Sequence, residues 1–483
     1  MSSAIDGLKP AGLWKAFAEL SKIPRPSKHE AAAAAYVVQQ ARKLGLECVQ
    51  DEAGTVVVRK PASKGLEPKP MVCLQSHLDM VPEKRPDKRH DFLKDPITLV
   101  RKDNMLMADG TTLGADNGVG VATSLAIMAD ASLTHGPLEF LFTIDEETGL
   151  TGAHNLQPGF LQSTILLNLD SEEEGELYVG CSGGRDTMGT WPLVTEPAPA
   201  GAVGLEIKVG GLRGGHSGLE IDKGRGNAIK ILNRVVLKVA SLGGRLSRID
   251  GGNKRNAIPR DAVALMFVPK KQLALAKAAV AALNDICRAE LASVEPSLEI
   301  SAAPVRGRGK VLRKGLQKKL TMALAGLPHG VIKMSADIPG LVETSTNVGV
   351  ITTDKKGISV ATSQRSSVAS EIADIAYTVR AVFELGGAVV AGSDGYPGWK
   401  PNLDSPVLKQ AIETYKRLFG KEPAVKAVHA GLECGIIGEK YPGMDMVSFG
   451  PTLEGVHSPD EKIHIDTVQK YWDFLLALLK NVA

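Results

Sequence analysis

The first 186 residues alternate between two kinds of apolar pattern. Apolar residues at helical spacing predict helices at 12–23, 29–45 and 117–130. Short segments at 55–60, 71–77, 138–145 and 164–170 are predicted to be strands, and three of them are nearly continuous apolar runs. Strands that are apolar along their whole length are typical of a sheet covered on both faces. The alternation therefore predicts an α/β fold with a mostly parallel sheet and helices on both faces.

The pattern changes after residue 186 and changes back near residue 397. Stretches rich in proline with alanine or glycine, at 191–204 and 391–401, predict connectors. Between them, helical and strand-like segments form a block typical of an α+β domain. The economical interpretation is one α/β domain built from residues 1–186 and 397–483, with residues 187–396 inserted as a separate α+β domain.

Composition excludes several classes of protein. The chain has 483 residues, enough for two or three domains. Its net charge of +3 gives no indication of a nucleic-acid partner. No apolar run reaches the roughly 18 residues that a membrane-spanning helix needs, and the N-terminus lacks the pattern of a signal peptide. Five widely spaced cysteines are typical of reduced thiols, so we expect a cytoplasmic protein without a membrane partner.

Three predicted strands are followed by ionisable side chains. The strand at 71–77 ends with His77 and is followed by Asp79. The strand at 138–145 ends with Asp145 and is followed by Glu146 and Glu147, and the strand at 164–170 ends with Asp170. In an open parallel sheet, ligand sites lie beyond the carboxyl ends of the strands. The sequence thus predicts that these groups meet at one edge of the sheet.

A further acid, Asp116, stands where a glycine-rich turn enters the helix at 117–130. Alone it is best explained as a helix cap, and Asp145–Glu147 alone as a solvated turn. Together, so many acids would repel one another unless cations neutralise them, which indicates a pair of divalent metal ions. Imidazole with carboxylate favours Zn²⁺, with Mn²⁺ or Co²⁺ as substitutes. A second imidazole is needed, and spacing alone does not choose among His429, His457 and His464.

Several segments, in this order, identify a known family. They are SHLDMV, GADNGVG, DEETGLTGA, NLDSEEEGELYVGCSGG, GGHSG, YPGWKP, HAGLECG and GPTLEGVHSPDE. Together they resemble the aminoacyl-histidine dipeptidases, also called cytosol non-specific dipeptidases. These belong to the di-zinc metallopeptidase family that includes carnosinases, acetylornithine deacetylases and glutamate carboxypeptidases. The resemblance extends over almost the whole chain.

The resemblance implies a ligand set for two Zn²⁺ ions. Asp116 would bridge both ions. His77 and Asp170 would complete the coordination of one ion, and Glu147 and His457 that of the other. On this basis His457 is the second imidazole.

The resemblance also implies the roles of two further acids. Asp79 would accept a hydrogen bond from the ring of His77, which fixes the ring's tautomer and raises its basicity as a ligand. Glu146 would act as general base toward a water shared by two ions ~3.5–4 Å apart, and would then protonate the leaving amine.

For the inserted domain, the resemblance implies substrate-binding residues. His216 would stabilise the tetrahedral oxyanion, and Arg365 would bind the C-terminal carboxylate of the substrate. Asn256 would assist them. Because these residues lie far from the metal ligands in sequence, we expect the domains to close over a dipeptide, with hinges near residues 187 and 396.

The expected activity is zinc-dependent hydrolysis of dipeptides with free termini, among them Xaa-His and β-Ala-His. An N-acyl-amino-acid deacylase or carboxypeptidase on the same scaffold is the nearest alternative. A protein that binds metal or peptide without catalysis is the alternative from another class. A homodimer is common among such relatives, although the sequence shows no interface signature.

Overall fold

The computed structural model describes residues 4–307 and 309–482. The helices are α1 (Ala11–Leu20), α2 (Ala31–Lys43), α3 (Ala115–Ala129), α4 (Glu146–Gly149), α5 (Thr151–Asn155), α6 (Ala228–Ser241), α7 (Leu273–Glu290), α8 (Lys314–Gly326), α9 (Ala369–Leu385), α10 (Pro406–Phe419), α11 (Glu433–Lys440) and α12 (Ile465–Asn481). Short 3-10 turns occupy Ile221–Lys223 and Lys270–Gln272. Among the described residues, no helix is both long and apolar enough to span a membrane.

The strands follow the same numbering. They are β1 (Glu47–Gln50), β2 (Val56–Lys60), β3 (Val72–His77), β4 (Leu99–Lys102), β5 (Met105–Ala108), β6 (Leu138–Thr143), β7 (Ile165–Asn168), β8 (Glu176–Cys181), β9 (Gly183–Pro192), β10 (Thr195–Pro197), β11 (Ala202–Gly210), β12 (Gly215–His216), β13 (Arg245–Gly251), β14 (Ala257–Ile258), β15 (Ala262–Pro269), β16 (Glu299–Val305), β17 (Lys310–Leu312), β18 (Gly330–Met334), β19 (Val342–Thr353), β20 (Gly357–Ser366), β21 (Val389–Gly392), β22 (Ala424–Val428), β23 (Asp445–Ser448), β24 (Leu453–Glu454) and β25 (Lys462–His464).

The chain divides into two compact units. The first contains the chain up to Gly180, Trp399–Ala427 and the chain from Leu432 onward. The second contains Cys181–Gly398 and Val428–Gly431. The stretch expected to be a connector at 191–204 includes β10, which pairs with β17 and therefore belongs to the folded second unit.

The first unit is built on a sheet of eight strands in the order β1-β2-β6-β3-β7-β23-β8-β22. Its four central strands, β6, β3, β7 and β23, run parallel, whereas β1, β2 and β8 pair antiparallel at the flanks. Every residue of β3 and β6 is buried and most are apolar, as in strands of a sheet covered on both faces. The predicted α/β class is confirmed, and the parallel carboxyl ends share one edge.

A smaller sheet in the same unit, ordered β24-β25-β5-β4, shapes the loop that carries His457. This loop connects the antiparallel pair β24 and β25. His457 has a φ of 59°, in the left-handed region, and Gly455 has a φ of 65°. The hairpin thus turns sharply at the histidine.

The second unit has an antiparallel sheet in the order β16-β11-β15-β13-β19-β20-β9-β21, with β18 beside β19. Residues such as Leu205 and Ile207 on β11 share one buried core with Leu232 and Val236 of α6. The helix α6 begins where the side chain of Asn227 accepts hydrogen bonds from two backbone N–H groups, as a helix cap does. This is the α+β architecture that the sequence predicts.

Candidate active site

Asp79 organises the edge of the first unit's sheet where β3 and β6 end. One of its carboxylate oxygens lies 3.2 Å from Nδ1 of His77, and the other accepts a 2.8 Å hydrogen bond from the Ser27 hydroxyl. The backbone N–H groups of Glu146 and Glu147 donate to the same carboxylate at 3.0 and 3.2 Å. Hydrogen bonds to His77 and to backbone N–H groups keep the pKa of Asp79 low, at about 2, so its carboxylate can only accept. Nδ1 of His77 therefore carries the donated proton, and the lone pair on Nε2 faces away from Asp79.

Asp116 divides its two carboxylate oxygens between two groups of side chains. Its Oδ1 lies 3.1 Å from Nε2 of His77, which is also 3.3 Å from Oδ1 of Asp170. Its Oδ2 lies 3.0 Å from Nε2 of His457, which is 2.9 Å from Oε2 of Glu147. The structure therefore brings the five expected metal ligands together as two groups that share Asp116.

The other two candidate histidines lie elsewhere. Nε2 of His464 is 2.9 Å from Oε1 of Glu454 in the small sheet. His429 belongs to the second unit, where its Nε2 is 2.7 Å from the Ser345 hydroxyl. Neither is part of a described group of potential metal ligands.

The clustered carboxyl groups of the site, and the histidine beside them, have shifted pKa values. Hydrogen bonds to Asp116 and Glu147 raise the pKa of His457 to about 11. Burial, together with neighbouring carboxylates, raises the pKa of Asp170 to about 6 and that of Glu172 to about 8. Burial also disfavours the ionised form of Asp116, yet hydrogen bonds to the two histidines lower its pKa. Carboxylates crowd this edge of the sheet, and protons or metal cations must balance them.

The donor set fits a pair of divalent cations. Ligands about 2.0–2.1 Å from a tetrahedral Zn²⁺ stand about 3.3 Å apart, close to the 2.9–3.3 Å spacings within the two groups. Both groups contain one imidazole nitrogen and carboxylate oxygens, which suit Zn²⁺ and similar divalent ions. Among the described residues, no cysteine is part of these groups.

Glu146 lies beside one residue of each group. Its carboxylate is within 4.8 Å of potential ligand atoms of His77 and Glu147. Its backbone N–H donates to Asp79, but its side chain has no hydrogen-bond partner within residues 4–307 and 309–482. Burial raises the pKa of Glu146 well above its ordinary value. Among the described residues, this carboxyl group is thus buried beside the potential ligands without a hydrogen-bond partner of its own.

Two buried residues that the sequence did not reveal hold the turn before Asp116. Glu461 accepts hydrogen bonds from the backbone N–H groups of residues 113–116, at 2.7, 2.9, 2.7 and 3.3 Å. Arg25 donates to the backbone carbonyls of Gly114 and, at 2.9 Å, Leu78 and Asp79. Both side chains are buried, so the turn is fixed through both its N–H and its C=O groups.

A third missed residue, Glu433, lies fully buried beneath the same edge. Its Oε2 accepts hydrogen bonds of 2.6 Å from Gln75 on β3 and Thr143 on β6. Burial raises its pKa to about 8. The contacts join the two strands that lead to His77 and Glu146. A glutamate within an ordinary helical segment gives no sequence signal for such a role.

The second unit brings together two of its three predicted site residues. Nη2 of Arg365 is 3.5 Å from Nε2 of His216, and its Nη1 donates to the Tyr396 hydroxyl at 3.0 Å. Burial and the positive charge of Arg365 lower the pKa of His216 to about 4. The Asn256 side chain is exposed, while its backbone carbonyl accepts a 2.9 Å hydrogen bond from the Ser217 N–H.

An α/β sheet whose parallel strands end in clustered histidines and carboxylates is typical of metal-dependent hydrolases. Residues 73–481 match the peptidase family M20/M25/M40, and the chain belongs to that family. The resemblance and the expectation of a peptide hydrolase are thereby confirmed.

Individual relatives give the same assignment. The chain is 43% identical over 481 residues to the cytosol non-specific dipeptidase of Escherichia coli (strain K12), covering 99% of each. The crystal structure of an aminoacylhistidine dipeptidase from Vibrio alginolyticus superposes with a TM-score of 0.92 at 43% identity, covering 100% of this chain and 98% of that one. Human carnosine dipeptidase 1, at 13% identity and a TM-score of 0.52 over 97% of this chain and 96% of that one, shares the fold.

Proposed function

We propose that this protein is a dipeptidase that depends on two divalent cations, with Zn²⁺ as the preferred ion. The observation that carries the proposal is the division of the Asp116 carboxylate between two imidazole–carboxylate groups. His77 and Asp170 would bind one cation, Glu147 and His457 the other, and Asp116 both. When bound, such cations lower the pKa of a water molecule and polarise the peptide carbonyl.

The protein's own groups supply the proton transfers. Glu146, whose side chain is free of hydrogen bonds among the described residues, takes the proton of the attacking water. The same carboxylic acid then donates this proton to the leaving amine. Asp79 holds the tautomer of His77 and fixes the backbone of Glu146 and Glu147, and so acts as a positioning residue.

His216 and Arg365 are assigned to substrate binding. Nδ1 of His216 accepts backbone N–H groups of Gly218 and Leu219 at 3.3 and 3.1 Å, so the neutral ring carries its proton on Nε2. An Nε2–H donor suits stabilisation of an oxyanion, and the Arg365 guanidinium suits a terminal carboxylate. Asn256, which is exposed, is assigned an accessory contact with the substrate.

The substrate class rests on the relatives. The names of the Escherichia coli and Vibrio alginolyticus proteins describe a non-specific dipeptidase of the cytosol and an aminoacylhistidine dipeptidase. We therefore assign to this chain dipeptides with free termini, including Xaa-His and β-Ala-His, and a cytosolic location. Mass measurement in solution tests the expected homodimer.

The test compares hydrolysis of Ala-His, β-Ala-His and N-acetyl amino acids by the zinc-loaded protein and by Glu146→Gln. We expect cleavage of the dipeptides, with turnover at least ~10²-fold lower in the variant and its zinc content unchanged. Glu439→Gln, an isosteric change on α11 outside the site, is the matched control. Cleavage of the N-acetyl amino acids alone would favour the deacylase, and zinc binding without any hydrolysis would favour a non-catalytic protein.

A further inference from the structure

In the second unit, the side chains of Arg365 and His216 face each other with N–H donors on both sides. Its Nη2 lies 3.5 Å from Nε2 of His216, yet that nitrogen carries the imidazole proton because Nδ1 accepts two backbone N–H groups. Nε of Arg365 is buried and has no hydrogen-bond partner among the described residues. His216 therefore supplies no acceptor to the Arg365 guanidinium, and a carboxylate can supply one.

Tyr396 completes this group of donors. Its hydroxyl oxygen accepts the hydrogen bond from Nη1 of Arg365, so its own proton must be donated elsewhere. No acceptor for that proton lies in range within residues 4–307 and 309–482. The hydroxyl therefore offers one more O–H donor beside a buried guanidinium.

The position of Tyr396 is fixed by its surroundings. Its backbone exchanges two hydrogen bonds with Gly184 on β9, at 2.9 and 3.0 Å. A Cβ on Gly184 would stand 2.5 Å from Cε1 of the ring, and one on Gly431 would stand 2.9 Å from Cε2. Only glycine leaves room for the ring at these two positions, so the ring is clamped and its hydroxyl is preorganised.

We propose that Tyr396 is a further substrate-binding residue, which donates its hydroxyl hydrogen bond to the C-terminal carboxylate of the dipeptide bound by Arg365. The proposal rests on the proposed function for the identity of the substrate. In this proposal the Arg365 guanidinium and the Tyr396 hydroxyl together select substrates that have a free C-terminal carboxylate.

The test is Tyr396→Phe, which keeps the ring between the two glycines and removes only the hydroxyl. For Ala-His, we expect kcat/KM to fall on the order of 10- to 100-fold, because a hydrogen bond to a charged group is lost. For Ala-His amide, which has no terminal carboxylate, kcat/KM should be that of the unmodified enzyme. Tyr377→Phe, on an exposed tyrosine of α9, is the matched control.

A separate binding measurement distinguishes this proposal from the proposed function. Calorimetry of Ala-His and its amide with Glu146→Gln, with and without Tyr396→Phe, reports affinity without turnover. Weaker binding of Ala-His alone supports the role of Tyr396 even if no dipeptide is hydrolysed. Equal effects on the acid and the amide, no effect on either, or no binding of Ala-His to Glu146→Gln would overturn it.

Discussion

The carboxylate of Glu461 receives the backbone N–H of Asp116, together with those of the three residues before it. Glu461 follows His457 by four residues and ends the loop between β24 and β25. A single buried side chain thus fixes the Asp116 turn to the hairpin that carries His457. Partners of this kind determine how well metal ligands are oriented, even when they do not touch the ion.

Replacing Glu461 by Gln should weaken metal binding. The amide NH₂ cannot accept a hydrogen bond, so one pair of backbone N–H groups loses its acceptor and the turn shifts. We expect zinc affinity to fall roughly 10- to 100-fold, measured by competition with a chromophoric chelator. The control is Glu454→Gln, on an exposed residue at the other end of the same hairpin. Unchanged affinity in a folded Glu461→Gln protein would show that the turn does not need this carboxylate.

Removal of divalent cations should abolish hydrolysis and lower thermal stability. Without cations the clustered carboxylates repel one another. A cation that binds only the folded state raises the free energy of unfolding by about 4 kcal/mol when its free concentration is 1,000 times Kd. Calorimetry should show a Tm several degrees higher with zinc than without it. Asp116→Asn should lose most of this rise, and Asp473→Asn, on an exposed acid of α12, should keep it. An equal zinc-induced rise in both variants would contradict the role of Asp116.

The metal-free protein should become less stable in mild acid, because His429 binds a proton when the protein unfolds. Burial lowers the pKa of His429 to about 3. The nearby Arg365 and His216 lower it further, and Asp222 raises the pKa of this histidine by a smaller amount. Its ordinary pKa is about 6.5, so between these values the unfolded chain binds a proton that the folded chain does not. Stability is therefore full above pH 6.5 and declines as the pH falls toward 3.

The check is the Tm of metal-free protein between pH 4.5 and 7.5, compared with His429→Gln. The variant should lose less Tm per pH unit, because one histidine no longer titrates on unfolding. His154→Gln is the control, because it removes a less deeply buried histidine from the first unit. Parallel curves for wild type and His429→Gln would contradict the assignment.

The elements that could be predicted are those whose pattern follows burial. The run at 71–77 became β3, Val72–His77, and the segment at 117–130 became α3, Ala115–Ala129, because apolar periodicity records which faces are covered. The predicted connector at 191–204 was partly wrong, since proline and alanine content does not reveal the pairing of β10 with β17. Pairing between distant strands depends on tertiary contacts that a local pattern cannot show.

The site divides in the same way. His77, Asp116 and Asp170 could be singled out because ionisable groups follow apolar strands or enter a helix at one edge of a sheet. Arg25, Glu461 and Tyr396 could not, because each acts through contacts with residues at least 31 positions away in sequence. The choice of His457 over His429 and His464 came from the family resemblance. That His457 and the other four side chains bind metal stays a prediction.

We propose an arrangement in which five side chains hold two cations around Asp116. The most direct measurement is anomalous diffraction at the zinc edge from crystals grown with zinc. Two peaks are expected, one beside His77 and Asp170, the other beside Glu147 and His457, with Asp116 between them. Peaks elsewhere, or His77, Asp116 and Asp170 turned apart with no peak among them, would contradict it.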